Sequence, residues 1–214
     1  MQKTRLCVTV GVVGAAIGGI VSSASATYTV TRGNSAPTYS STLTFDEPGG
    51  PTGMNLPSNA FASAGISALY SGEGSNLVGP IPAYTGQSSN VFYGPYGVFI
   101  TLAQDATAMS LQFWDTSGSP SPFGGGAAIF LFNDGGADPV AFFGPFAPSL
   151  GTNTGSWFDI VATDGMVFDE IRCIGFGFFP ESVVDNLSWE PVPSPASLAM
   201  FGLVGARLLR RRRA

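Results

Sequence analysis

"AMSLQFW", residues 108–114, sets Met109, Leu111 and Phe113 on one side of an extended backbone and Ser110 and Gln112 on the other. Side chains along a strand alternate between two faces, so this pattern predicts a strand with one buried face and one wet face. The same grain runs through the middle of the chain. Short apolar or alternating runs recur at "STLTF" (41–45), "GISALY" (65–70), "GVFITL" (97–102), "AAIFLFN" (127–133), "PVAFFG" (139–144), "WFDIVA" (157–162), "EIRCIGFGF" (170–178) and "VVDNLSW" (183–189). Clusters of Gly, Pro, Ser, Asn and Asp separate them, and no long amphipathic helix intervenes. "NDGGAD" (133–138) reads as a hairpin loop between two of these runs. Nine strands at this spacing predict an all-β fold, a single jelly-roll-like β-sandwich over residues 27–190. "FYGPY" (92–96) and "FFGPF" (142–146) echo each other, and in a chain with 17 Phe, 29 Gly and 16 Pro the simpler reading is coincidence.

Charge is scarce and unevenly placed. Only 11% of the 214 residues are charged, against roughly 25% in ordinary soluble domains. Seven of the nine basic residues sit at the two ends: Lys3 and Arg5, then Arg207 and Arg210 to Arg213. The body between them sets Arg32 and Arg172 against all fourteen acidic residues, twelve net negative charges. Such a body repels a phosphate backbone, which argues against nucleic acid as a partner.

The N-terminus has the three parts of a secretory signal peptide. Lys3 and Arg5 form a positive start, and Leu6 to Val21 an apolar core that predicts a signal helix. "SSASA" supplies Ala24 and Ala26 as the small residues of a cleavage site, with residues 1–26 removed. A permanent N-terminal anchor is the alternative. With the leader gone, Cys173 is the one cysteine left, so the exported body has no internal disulfide and is held by its core. Roughly 165 residues suffice for that.

The C-terminus, "VPSPASLAMFGLVGARLLRRRRA" (192–214), has three parts in another order. Pro191, Pro193 and Pro195 keep the chain extended and stop a helix from running in from the body. Ser197 then caps a short hydrophobic helix over Leu198 to Leu209, and Arg210, Arg211, Arg212 and Arg213 follow. Twelve helical residues span roughly 18 Å, against a hydrocarbon core of roughly 30 Å. As a lasting anchor the run is short, whereas a turn, a brief apolar helix and a basic stop make a good transient handle for a membrane-bound processing enzyme. Residues 191–214 resemble the PEP-CTERM sorting signal of Gram-negative bacteria, some of whose family models carry the label ice-binding protein C-terminal domain. Val192, Pro193, Pro195, Ala196, Ser197, the apolar run and the four arginines match that pattern, and Ser194 stands where glutamate is usual. The resemblance implies recognition and cleavage by an exosortase, a membrane cysteine enzyme. It also implies membrane attachment through the tail before processing, and delivery to the cell surface, the outer envelope or the extracellular polysaccharide matrix. It does not imply ice binding.

The body in turn resembles β-sandwich domains that accompany this tail. Phe45, Asp46, Glu47, Pro48, Gly49 and Gly50 form an early "FD" strand end and Gly/Pro loop, Gly65-Ile66-Ser67 a following strand start, and Asp185-Asn186-Leu187-Ser188-Trp189 the closing motif. Such domains look like carbohydrate-binding jelly rolls.

With no histidine anywhere and no lysine in the exported part, histidine-based triads, histidine metal sites and Schiff-base chemistry are excluded. Cys173 lies in an apolar run and reads as an inert small hydrophobe. A glycosidase would need two carboxyls facing across a cleft, but Asp115, Asp134, Asp138 and Asp164 fall at turns, where carboxylates usually bond backbone groups or stay solvated. A structural calcium is the cofactor to consider, since it takes six to eight oxygens of the kind acidic loops supply. In a jelly roll the first and last strands lie side by side, which would bring Asp46 or Glu47 toward Asp185. The alternative is that Asp46 caps its loop and Asp185 a strand end. Sugar stacking would fall to Trp114, Trp157, Tyr84, Tyr93 or Tyr96, each of which also suits a core. The expectation is an exported, non-enzymatic surface or matrix protein with extracellular polysaccharide as its natural ligand. The competing readings are a secreted carbohydrate-active hydrolase acting through acidic residues and a purely structural envelope protein.

Overall fold

The computed structural model describes residues 28–85, 88–115, 126–146, 155–176 and 181–193. Among them run twelve strands: β1 (Tyr28–Gly33), β2 (Ser41–Leu43), β3 (Gly53–Met54), β4 (Ile66–Ser71), β5 (Leu77–Pro80), β6 (Asn90–Pro95), β7 (Val98–Asp115), β8 (Gly126–Phe132), β9 (Ala141–Phe146), β10 (Ser156–Ala162), β11 (Phe168–Phe176) and β12 (Glu181–Pro191). Among the described residues helix is confined to a 3₁₀ turn at Ala62–Ala64 and one α-turn at Pro82–Thr85. The chain is therefore all-β, and every strand pairing is antiparallel. No helix among the described residues is long and apolar enough to cross a membrane. The signal helix with Ala24 and Ala26, the hydrophobic tail helix, and Ser194, Pro195, Ala196, Ser197 and Arg210 to Arg213 lie outside those residues.

β7 organises the sheet. Its first part lies between β4 and β11, with β8 and β9 continuing beyond β11. Its second part lies between β10 and β12. β1 continues beyond β10, and β2 and the run β6-β5-β3 continue beyond β12. "GVFITL" and "AMSLQFW" are thus one strand of 18 residues rather than two. The polar link between them stays extended because neighbours pair with it: Ala103 N–H donates to the Gly65 carbonyl at 2.9 Å and Val192 N–H to the Asp105 carbonyl at 2.8 Å. At this link two steps along β11, from Phe168 to Glu170, oppose five along β7, from Ala106 back to Thr101. The bulge shifts the phase of the strand, and its buried positions pass from Val98, Ile100 and Leu102 to Met109, Leu111 and Phe113.

Both halves of the sheet turn their apolar faces into one core. Ile100, Ile129, Leu131, Ile171 and Cys173 come from one half, and Met109, Leu111, Phe158, Ile160, Val184 and Leu187 from the other. The Phe146 and Phe158 rings meet across it at 4.9 Å, and Tyr28 donates its hydroxyl to the Val167 carbonyl at 2.8 Å. Each such side chain, fully buried, contributes about 1.5–3 kcal/mol against exposure.

The outer face of "AMSLQFW" corrects the expectation of a wet side. Ser110 is 1% and Gln112 6% exposed. Residues 34–40, between β1 and β2, lie over this face as a strap. Ser110 donates to the Pro37 carbonyl at 2.7 Å and shares a 2.8 Å bond with Ser188, and Ser188 Oγ accepts from Tyr39 N–H at 3.1 Å. Tyr39 also donates its hydroxyl to Asp159 at 2.6 Å. The hydroxyls can be buried because each finds a partner under the strap.

"NDGGAD" is the β8–β9 hairpin loop. Asp134 and Gly135 hold left-handed φ of 56° and 65°, and Gly136 N–H closes on the Asn133 carbonyl at 3.1 Å, a type I′ turn. The two aromatic echoes are not equivalent corners. In β6 Phe92 is buried and Tyr93 half-buried, whereas in β9 Phe142 is half-buried and Phe143 buried, so the phases are opposite.

Candidate functional site

The site begins at the end of β2. Phe45 holds φ of 64°, a left-handed conformation that a bulky residue adopts only at a cost of about 1–2 kcal/mol. The turn drives its ring into the core, edge-on to Phe61 at 5.3 Å. The chain then runs through a tight turn in which Gly50 N–H donates to the Glu47 carbonyl at 2.8 Å, with Pro48 second and left-handed Gly49 third, as a type II turn requires. The two carboxylates ahead of that turn are anchored by backbone donors. Asp46 Oδ1 accepts from Asn90 N–H at 2.9 Å, and Glu47 Oε1 from Thr44 N–H at 2.7 Å and Thr44 Oγ1 at 3.1 Å.

Asp185 arrives from β12, which pairs with β2 through Leu187 opposite Leu43. The register of β12 against β7 slips between Asp185 and Ser188, and the slip is made at Asn186, whose φ is 51°. Asparagine tolerates this region better than most residues, and its side chain then serves the bulge. Asn186 N–H donates to Asp185 Oδ1 at 2.7 Å, while Asn186 Nδ2 donates to Asp185 Oδ2 at 3.1 Å and to Gln112 Oε1 at 2.9 Å. Asp185 is 2% exposed. Burial first, and then the charges of Asp46 and Glu47, hold its carboxyl up to about 7 against the opposing pull of the Asn186 N–H. The three acids singled out from sequence thus share one electrostatic corner.

Their donor type suits a divalent cation, since hard carboxylate oxygens and surplus negative charge are what calcium takes. Each carboxylate also already holds a neighbouring N–H, so an ion would compete with Asn90, Thr44 and Asn186. Among the described residues no group of three or more His, Cys, Asp or Glu side chains, these three included, is placed so that it could hold a metal ion.

The other sequence candidates are scattered. Trp114 is 2% exposed, packed with Val91 and Val183 in a small cluster on the outer face, so it offers no stacking surface. Trp157 is half-buried and stands in register with Gln112, itself in register with Asp185. Tyr93 is half-buried against the Trp114 cluster, and Tyr96 is exposed at a left-handed corner. The side chains of Tyr84 and Asp115 lie outside the described residues. Asp134 and Asp164 occupy exposed left-handed turn positions and Asp138 an exposed bend. Cys173 is wholly buried, and burial pushes its thiol up to about 12, which leaves it unreactive. Val192 and Pro193 follow directly on β12.

Two polar groupings were not singled out from the sequence. Asn186 braces Asp185 and is itself held by Gln112, and the Asp-Asn dipeptide inside a strand-like run was the available signal for a bulge. Near the β8–β9 turn, Asp169 Oδ2 accepts from Asp134 N–H at 3.2 Å. Asp169 Oδ1 and Asn133 Oδ1 are buried with no partner. Burial chiefly, with the charges of Asp105 and Asp134, raises the Asp169 carboxyl. Comparison with protein-family models, with curated proteins and with solved structures finds no match for this chain.

Proposed function

We propose that this chain is an exported, non-catalytic protein of the cell surface or extracellular matrix. Its body would be a jelly-roll-like sandwich, and its C-terminal segment an address read by an exosortase-type membrane enzyme. One observation carries the reading. β12 ends at Pro191, and the Val192 N–H is the point at which the chain is still fastened to β7, through the Asp105 carbonyl. The sorting motif Val192 to Ser197 therefore starts where the pairing of the body stops. No described residue beyond Val192 pairs with a strand, which suits a removable address. Polysaccharide of the matrix is the ligand that fits this destination, and calcium at Asp46, Glu47 and Asp185 the cofactor that fits the charge of the corner.

The raised carboxyl of Asp185 is the one feature that favours the hydrolase reading, since catalytic acids often titrate near neutrality. Against it, Asp185 is buried, both of its oxygens accept from Asn186, and a general acid must reach the bond it protonates.

The test is to produce the full chain in a Gram-negative host with and without an exosortase and to read the mass of the exported protein. Loss of the leader after Ala26 in both hosts, with loss of the tail only where the enzyme is present, is the expected result. Ser194→Glu should raise the cut fraction. A tail retained in both hosts, for wild type and variant alike, overturns the sorting assignment.

A further inference from the structure

The outer face of the half-sheet built on the first part of β7 carries a row of side chains that the export argument does not use. In strict register across five strands stand Tyr70 on β4, Phe99 on β7, Arg172 on β11, Phe130 on β8 and Phe142 on β9. All five are half-buried, while their neighbours along each strand, such as Leu69, Ile100, Ile171, Ile129 and Phe143, are buried in the core. Tyr70 and Phe99 meet edge to face at 5.2 Å, and Phe130 and Phe142 at 4.8 Å with 47° between the rings. The Arg172 guanidinium lies between the two pairs, 5.3 Å from the Phe99 centroid and 3.9 Å over Phe132. Glu170 pairs with it, which leaves the row electrically balanced.

We propose that this row is a binding site for an extended, uncharged polysaccharide, laid across the strands with its sugar rings against the aromatic side chains. The proposal rests on the reading of the chain as a polysaccharide-binding surface protein and assigns that reading a place. One side chain recurs at each strand spacing of about 4.8 Å, over roughly 19 Å from β4 to β9. That suits a ligand with a short linear repeat. Aromatic rings bury broad apolar area with little entropy to lose, and the guanidinium plane adds donors beside them. Charge decides between occupants. The compensated Arg172 gives an acidic polymer nothing to pair with. A second copy of a body with twelve net negative charges, set by fourteen acids against Arg32 and Arg172, would be repelled.

The test uses the full chain with microcrystalline cellulose, chitin and a soluble neutral β-glucan as probes and alginate as the acidic comparison. Retention on at least one neutral polymer and none on alginate is expected. Phe99→Leu and Phe130→Leu, which keep apolar bulk but remove the rings, should each weaken retention about tenfold. A second measurement does not depend on how the variants fold. In wild-type protein carrying labelled phenylalanine, the ring signals of Phe99, Phe130 and Phe142 should shift on titration with a soluble β-glucan oligosaccharide. Retention that survives both substitutions, with unshifted rings, overturns this site and leaves polysaccharide binding elsewhere on the chain. Absence of retention by wild type on every neutral polymer overturns the polysaccharide reading as well, while the sorting assignment stands or falls on its own processing test.

Discussion

Asp185→Asn is the substitution that most directly probes the acidic corner. Asp185 is 2% exposed, and burial with the charges of Asp46 and Glu47 carries its carboxyl from 3.8 to about 7. The native protein therefore holds this proton more tightly than the unfolded chain does. Between about pH 4 and pH 7 the unfolded state has lost the proton and the native state has kept it, so stability falls as pH rises through that window and is level above it. Three factors of ten at 1.36 kcal/mol each make the full loss about 4 kcal/mol. An asparagine stays neutral throughout. Its amide nitrogen would replace Oδ2 against Asn186 Nδ2, and the donor clash is relieved if Asn186 and Gln112 both turn their amides, a repair that does not vary with pH. The advantage of the variant over wild type should thus grow from near zero at pH 4 to about 4 kcal/mol at pH 8, about 10 °C in Tm for a body of this size. Urea unfolding followed by tryptophan fluorescence, in chelator, at half-unit steps from pH 4 to 8, reads this difference directly. Asp169 titrates in the same direction in both proteins and cancels. A difference that stays flat with pH, or an asparagine variant less stable at pH 8, would refute the reasoning.

Calcium should act on the same corner with the opposite sense of pH. A divalent ion favours the ionised carboxylate, so millimolar calcium should raise Tm at pH 8 more than at pH 5, and Asp185→Ala should abolish the rise. An identical melt with calcium and with excess chelator removes the ion from the proposal. Packing gives a prediction of another kind at Gly155, where an added Cβ would fall 2.6 Å from the Trp114 ring and 2.9 Å from the Phe113 carbonyl. Gly155→Ala should destabilise by about 1–3 kcal/mol and change the near-ultraviolet signal of the indole, whereas Gly79→Ala, with nothing within 4 Å, should stay within about 0.5 kcal/mol of wild type. Equal melting of the two variants would show that the Trp114 cluster yields without strain.

Much of the fold was legible because period-two patterning survives wherever a strand has one face in the core. Each of the nine segments read as strands overlaps a strand, with "GVFITL" and "AMSLQFW" joined in β7 and "STLTF" and "PVAFFG" only partly paired. What escaped the reading escaped for physical reasons. The join of β7 is polar, and its extended state comes from partners far along the chain, at Gly65 and Val192. β5 and β6 end in proline and carry glycine, residues that signal turns locally but are tolerated at strand ends. The wet face assigned to Ser110 and Gln112 was a fair inference from polarity. Polarity alone does not distinguish water from a strap of backbone that offers the same hydrogen bonds. In the candidate site, the acids announced themselves and their supports did not. Asn186 bonds Asp185 from within the β12 bulge, and Gln112 reaches the pair from β7 through the Asn186 amide.

That bulge bears on what the corner is for. Left-handed residues other than glycine occur at six described positions, of which Tyr96, Asp134 and Asp164 fall at turns and Asn55 at an exposed bend after β3. Phe45 and Asn186 are different: one is bulky and the other sits inside a long strand, and both flank the same three carboxylates. Pairing of β12 with β7 resumes at Ser188 on the far side of Asn186, so the irregularity is local to the dipeptide beside the corner. The chain has instead gathered a strained phenylalanine, a bulged strand and a buried carboxyl in one place, together worth several kcal/mol against folding. Departures from local preference of this kind cluster where a site is being shaped. Asp185 sits where burial first, and then the charges of Asp46 and Glu47, raise its carboxyl. A proton on Asp185 relieves the repulsion from those charges below about pH 7, and a bound cation would relieve it above, which is the difference the calcium melts at pH 5 and pH 8 read.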